Sequence, residues 1–184
     1  MRIVAIIPAR EGSKRLKYKN VYPIKGKPLV EYTIDAALGS KYLDRDNLFI
    51  STDFKDVMSI GINHDINVIP RPKDLATDKV WTQDVVNHVD DELHLREEDI
   101  IVILQANSPQ MTSKKIDECV EKLLDNNLWQ VHTVDETFIN NGAIHVMRRK
   151  VRSHQGKVNY NGVVMTNWVD VHTIEDVRVV EKLL

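Results

Sequence analysis

The 184-residue chain has a single cysteine, Cys119, and therefore no internal disulfide and no cysteine-rich zinc site. Apolar neighbours mark Cys119 as a core-filling side chain, with a nucleophilic role the lesser reading. No apolar run approaches the roughly 20 residues that a membrane-spanning helix needs. Residues 3–7 are too short for the apolar segment of a secretion signal and pass straight into charges. A reducing cytoplasm is the expected compartment, with no membrane partner. Excess charge is lacking too: 25 Lys and Arg against 27 Asp and Glu give a formal net charge of -2. That balance removes any global case for nucleic acid or an anionic membrane surface. Internal repeats, low-complexity tracts and Pro/Gly/Ser-rich linkers are missing as well, so residues 1–184 are expected to form one domain. Hydrophobic content of 42% and charged content of 28% are ordinary for a chain with a sizeable core.

Against this neutral background the first twenty residues stand out. The apolar run 3–7 stops at Pro8 and enters a loop holding Gly12 and the cations Arg10, Lys14, Arg15, Lys17 and Lys19. A continuous apolar run bounded by a breaker reads as a buried parallel strand. A glycine-containing cationic loop at the carboxyl end of such a strand is where open α/β sheets hold phosphorylated ligands. A solvated basic turn would share this composition. In a near-neutral chain, the local charge favours a small anionic ligand.

The remaining chain alternates strand and helix patterns. Residues 21–24 read as extended and Lys25-Gly26-Lys27 as a turn. Pro28 opens a helix with Leu29, Tyr32, Thr33, Ala36 and Ala37 at helical spacing and Gly39 as its stop. Strands are expected at 48–51, 66–69 and 100–104. They lead into Thr52-Asp53, Pro70-Arg71-Pro72 and Gln105-Ala106-Asn107-Ser108-Pro109. Asp53 is placed to meet a ribose or a metal, and equally placed to cap a helix beginning near Lys55. Arg71, between two prolines, has a stiff backbone and an aimed side chain. Thr82 reads as the N-cap of a helix carrying Val85, Val89 and Leu93, and Ser113 begins one carrying Ile116, Val120, Leu123 and Leu124. Strands at 131–134, 142–147 and 163–169 form a smaller mixed part of the sheet, with a turn at 136–141 and an exposed polar excursion at 150–161. Thr173-Ile174-Glu175-Asp176 is a capping-box start to the final helix. The alternation implies a Rossmann-like three-layer α/β/α sandwich with a mostly parallel sheet.

Six blocks occur in order. They are Ile6-Ile7-Pro8-Ala9-Arg10-x-Gly12-Ser13-Lys14-Arg15-Leu16-x-x-Lys19-Asn20, Ser51-Thr52-Asp53, Arg71-Pro72-x-x-Leu75-Ala76-x-Asp78, Leu104-Gln105-x-x-Ser108-Pro109, Asn141-Gly142-Ala143-Ile144 and Asp170-Val171-x-Thr173-x-Glu175-Asp176. Together they resemble the signature of the acylneuraminate cytidylyltransferases (CMP-sialic acid synthetases), whose fold is of the nucleotide-diphospho-sugar transferase type. The related CMP-Kdo synthetases share the opening loop but usually lack its Lys-Asn ending. The family joins CTP to the anomeric hydroxyl of an acidic nonulosonic sugar, releasing pyrophosphate. Attack on the α-phosphate spreads charge over phosphate oxygens, so fixed cations and a metal stabilise the transition state more than the ground state. The resemblance implies Arg10 and Lys19 as the catalytic cations, with Gly12, Ser13, Lys14 and Asn20 on the nucleotide. It also implies Arg71 and Thr82 on cytosine, Gln105 and Asn141 on the sugar, and Mg2+ or Mn2+ at Asp170 and His172. CTP and an acidic sugar are the implied partners.

Three features depart from the family pattern. His172 stands where the second carboxylate of an Asp-x-Asp metal pair is expected; an imidazole suits manganese or zinc better than magnesium. Between Val134 and Asn141 a long excursion that supplies dimer contacts and part of the sugar pocket is reduced to residues 135–140, leaving a homodimer open. The arginine usual ahead of Asn-Gly-Ala is absent, with Ile139 near its place. Glu11 and Lys17-Tyr18 replace a small or polar residue and Pro-Gly; Glu11 either repels a triphosphate or pairs with Lys14 or Arg15. Two other readings accompany the enzyme: a nucleotide-binding homologue with a partner or regulatory role, and a nucleotidyltransferase with a smaller acceptor.

Overall fold

The computed structural model describes residues 1–153 and 160–184. In chain order its elements are β1 (Ile3–Pro8), β2 (Pro23–Ile24), β3 (Lys27–Pro28), α1 (Leu29–Leu38), β4 (Leu48–Thr52), α2 (Lys55–Asn63), β5 (Asn67–Pro70), α3 (Thr82–Leu93), β6 (Ile100–Leu104), α4 (Ser113–Asp125), β7 (Gln130–Val134), β8 (Asn140–Arg148), β9 (Asn161–Met165) and α5 (Ile174–Leu183). One sheet runs in the order β5-β4-β1-β6-β8-β7-β9, and β2 and β3 form a separate hairpin. β1 lies parallel to β4 and β6, and β5 parallel to β4. β8 is antiparallel to β6 and β7, and β9 is parallel to β7. This is the Rossmann-like, mostly parallel architecture that the alternation implies.

The central strands are apolar without interruption because both faces of the sheet are covered. Val4 and Ile6 join Phe49, Ile101 and Ile103 under Val86 and Val89 of α3. The alternate residues Ala5 and Ile7 join Ile50, Val102 and Leu104 beneath Ile34 of α1, Val57 of α2 and Ile116, Val120 and Leu123 of α4. Cys119 is buried in this second layer, where burial pushes its thiol up to about 12, so it fills space as an un-ionised thiol. Gly61 of α2 lies where an added Cβ would stand 2.8 Å from Val68 Cγ2 and 3.0 Å from Ile50 Cγ2. Gly61→Ala gains about 1 kcal/mol of helix propensity against about 1–3 kcal/mol of overpacking. A lower thermal midpoint is expected in a calorimetric scan.

A third cluster positions the far end of the chain. Leu16 of the basic loop, Ile24, Leu29, Val171, Val177 and Val180 pack together, fastening α5 and the segment before it to that loop. The β2–β3 turn has positive φ at both Lys25 (48°) and Gly26 (80°), the geometry of a tight two-residue hairpin. The Lys25 backbone N–H donates to Glu181 of α5. The capping box of α5 forms: Thr173 accepts from the Asp176 N–H, and the Asp176 carboxylate accepts from Thr173 N–H at 2.8 Å and His172 N–H at 2.9 Å.

Several expected boundaries move, each for a local reason. Of the extended piece expected at 21–24, Pro23–Ile24 is strand, whereas Val21 closes a 3-10 turn over 19–21, because Val21 and Tyr22 N–H donate back to Tyr18 and Lys19. Trp81, not Thr82, is the N-cap of α3; α4 begins at Ser113 as expected, capped by the Thr112 hydroxyl. Gly39 ends α1 at an ordinary φ of -85°; a Cβ there would crowd Ser113 at 3.3 Å. Residues 140–141 begin β8, and the hairpin bend is 135–139, braced by the Asp135 carboxylate, which accepts from the Thr137 and Ile139 N–H groups. β9 ends at Met165, short of the expected 169; beyond it Thr166 N–H still donates to the Val134 carbonyl, and Val169 N–H is taken by Gln110. Of the polar excursion expected at 150–161, residues 149–153 form a 3-10 turn with Val151 buried, and 154–159 lie outside the described residues.

Candidate active site

The loop after β1 is held in shape by bonds that cross long stretches of sequence. Ala9 N–H donates to the Ser51 carbonyl at 3.0 Å, and Glu11 N–H donates to Asp53 Oδ1 at 3.0 Å. Asp53 thus tethers the basic loop to the end of β4; α2 is capped by Phe54 with no side-chain bond. Asn20, 6% exposed, donates its amide to the Arg10 carbonyl at 2.8 Å and closes the loop on itself. Tyr18 adopts a left-handed backbone, φ 56°, offset by stacking on Phe54 at 5.5 Å between centroids. A residue other than glycine costs about 1–2 kcal/mol in this conformation. That cost is the physical sense of the Pro-Gly usual in the family.

Arg10, Gly12, Ser13, Lys19, Asn20, Arg71, Thr82 and Gln105 line one open cleft at the carboxyl ends of β1, β5 and β6. Leu75, Thr77, Val80 and Val85 supply an apolar and hydroxyl wall, and Ala106 and Asn107 a floor. Thr77 and Val80 belong to no sequence motif, and Asn107 is marked in the sequence only as one polar residue past a strand. A Cβ on Gly12 would sit 3.2 Å from Arg10 Nη1, so glycine keeps space for that guanidinium. Arg71 is 7% exposed, its Nη2 donating to the Ser51 carbonyl at 2.7 Å and its Nε to Ser51 Oγ. Burial lowers its guanidinium to about 10, with Asp53 opposing the shift.

Lys14, Asn141, Asp170 and His172 lie outside that lining. Lys14 is 81% exposed and pairs with Asp78, so it has a partner other than Glu11. Asn141 accepts from Thr133 Oγ1 at 2.6 Å and donates to Thr166 Oγ1 at 2.8 Å, tying β8 to β7 and to the exit of β9. Asp170 accepts from the fully buried Ser108 Oγ at 2.5 Å. Desolvation raises the Asp170 carboxyl, with Ser108, His172 and Lys19 opposing. His172 is lowered, first by desolvation and then by the charges of Lys19 and Arg15. These charges couple the Asp170 segment to the cleft through Lys19.

Burial lowers Lys19 to about 8, Asp170 opposing the shift and Arg15 and Arg10 reinforcing it. Its ammonium is therefore present below about pH 8 and lost above it, whereas an unfolded lysine keeps its proton to about 10.4. The folded chain binds fewer protons than the unfolded one between those values, so this group makes stability rise with pH across that window. Anion binding should do the reverse. Affinity for an anionic ligand should fall as pH rises through about 8, and Lys19→Arg, charged throughout, should remove that inflection in calorimetric titrations.

An open α/β sheet with a tethered cationic loop at the carboxyl end of its first strand defines the class of α/β proteins that hold phosphorylated ligands at that edge. Within that class the chain belongs to the cytidylyltransferase family, whose model matches residues 4–161. An N-acylneuraminate cytidylyltransferase of Streptococcus agalactiae serotype V is 36% identical over 121 residues, 66% of this chain and 29% of that protein. A CMP-N,N'-diacetyllegionaminic acid synthase of Legionella pneumophila is 40% identical over 128 residues, 66% of this chain and 53% of that protein. This chain thus spans about a third to a half of the length of these relatives. A solved CMP:2-keto-3-deoxy-manno-octonic acid synthetase complexed with CTP shares the fold, with a TM-score of 0.77 at 17% identity over 100% of this chain and 98% of that one. No helix among the described residues is long and apolar enough to cross a membrane.

Proposed function

We propose that the chain transfers CMP from CTP to the anomeric hydroxyl of an acidic nonulosonic sugar, releasing pyrophosphate. The observation that carries this reading is the convergence on one cleft of Arg10, Lys19, Arg71 and Gln105, drawn from three separated blocks, with Thr82 at the start of α3. Arg10 and Lys19 hold the triphosphate and take up the charge that develops as pyrophosphate leaves. The Gly12 N–H adds a backbone donor at the same phosphates, and Ser13, whose N–H donates to the Glu11 carbonyl at 2.9 Å, offers its hydroxyl. Asn20 acts by fixing the carbonyl of Arg10, which orients the guanidinium. Arg71 and Thr82 read cytosine, whose O2 accepts and N4 donates hydrogen bonds. Gln105 faces the acceptor, and Asn141 holds the strand exit beyond it. Lys14 supports the outer phosphates from the rim.

The donor set toward a metal is small. Among the described residues no cluster of three or more His, Cys, Asp or Glu is arranged to hold an ion. Asp170 with a neutral His172 supplies two donors, enough for an ion that takes its remaining ligands from phosphate oxygens and water. One carboxylate and one imidazole suit Mn2+ better than Mg2+. A divalent ion there would neutralise phosphate charge beside Lys19.

Incubation with CTP and a panel of sialic, legionaminic, pseudaminic and Kdo-type acids, followed by mass spectrometry, tests the proposal. A CMP-sugar from at least one acid is expected. CTP binding without product from any acid, with either Mg2+ or Mn2+, would replace the enzyme by a nucleotide-binding homologue with a partner or regulatory role.

A further inference from the structure

One carboxylate pairs with both Arg10 in the cleft and Lys14 outside its lining. Asp78 Oδ1 accepts from Arg10 Nη2 at 2.5 Å, and Asp78 Oδ2 pairs with Lys14 Nζ. These bonds bridge 68 residues between Arg10 and Asp78. Hydrogen bonds from Lys14 and then Arg10 hold the Asp78 carboxyl below the usual carboxylate range. Asp78 sits between Thr77 and Val80, both of which line the cleft, in a turn where Val80 N–H donates to the Thr77 carbonyl. The side chains of Arg10 and Asp78 are each 31% exposed, so water reaches the bridge and screens it. Exposed pairs of this kind contribute little each, little enough for a multiply charged phosphate chain to replace them.

We infer that Asp78 is an internal counter-ion of the cradle, a positioning residue that holds Arg10 and Lys14 together in the free protein, is displaced by a triphosphate, and re-forms its bridge as pyrophosphate departs. The inference rests on the reading of the cleft as a triphosphate site and adds to it a residue that competes with the ligand. Without Asp78 the two cations would repel each other and stand uncompensated, and an incoming polyphosphate would no longer need to break two ion pairs. Loss of the carboxylate therefore tightens the binding of CTP and pyrophosphate, whereas loss of a merely structural tether would weaken it.

Calorimetric titration of CTP and of pyrophosphate, each with Mn2+, into wild type, Asp78→Asn, Asp78→Glu and Asp74→Asn tests this. Asp74 is an exposed acid on the adjoining 3-10 turn, so its change alters local charge equally. Asp78→Asn should bind both ligands about three- to tenfold more tightly, the range expected for two exposed ion pairs. Asp78→Glu, which keeps the carboxylate, and Asp74→Asn should each stay within about twofold of wild type. Equal or weaker binding by Asp78→Asn overturns the inference, as does equal tightening by Asp74→Asn. Failure of the wild type to bind CTP would instead sink the triphosphate reading beneath it.

Discussion

Arg10→Ala should lower kcat/KM for CMP transfer by about 10²- to 10³-fold, the usual loss when one preorganised charge at a transition state is removed. The fold should survive. The Arg10 side chain is partly exposed, its ion pair with Asp78 is at the surface, and the bond from Asn20 goes to its backbone carbonyl, which alanine keeps. An exposed pair is worth about 0–1 kcal/mol, so the thermal midpoint should move little. Steady-state kinetics beside a calorimetric scan separates the two effects: turnover collapses while stability stays. Near-normal turnover would remove Arg10 from the chemistry.

His172→Asp should strengthen Mg2+ binding and raise Mg2+-supported activity relative to Mn2+. The change restores a carboxylate two residues from Asp170, on the segment that Val171 anchors in the core beside the basic loop. A unit charge about 4 Å from a cation is worth about 4 kcal/mol at an effective dielectric of about 20, and a third of that is already tenfold in affinity. The capping bond from residue 172 to Asp176 comes from the backbone, so the substitution leaves it in place. Titrating Mg2+ and Mn2+ against the CTP complex reads the outcome directly. An unchanged preference would put His172 outside the metal shell.

What could be read in advance follows the range of the interactions involved. β1, β4 and β6 announced themselves because burial on both faces requires unbroken apolar runs, and the capping box at Thr173 and Asp176 lies within a four-residue window. Arg10, Gly12 and Lys19 were legible as a cluster because one short loop carries them. The bonds that set the site's shape were not. Asp53 to Glu11, Asp78 to Arg10 and Ser108 to Asp170 join residues 42, 68 and 62 positions apart, and no local periodicity encodes them. Asp78 belongs to the Arg71–Asp78 block, and only the fold, by bringing it to Arg10, gives it a role. Asn141 read as a sugar contact and sits among strand-joining bonds, because an amide answers equally well to a ligand or a neighbouring hydroxyl. The far end of the strand expected at 163–169 is likewise tied by a distant side chain, Gln110, which accepts the Val169 N–H that a propensity pattern assigns to a strand.

A crystal structure of the chain with CTP and Mn2+ tests the central claim most directly. The triphosphate is expected against Arg10, Lys19, the Gly12 N–H and the Ser13 hydroxyl, with the base toward Arg71 and Thr82 and the Arg10–Asp78 bridge opened. Nucleotide bound elsewhere, or a cleft left empty at saturating CTP with that bridge intact, would contradict it.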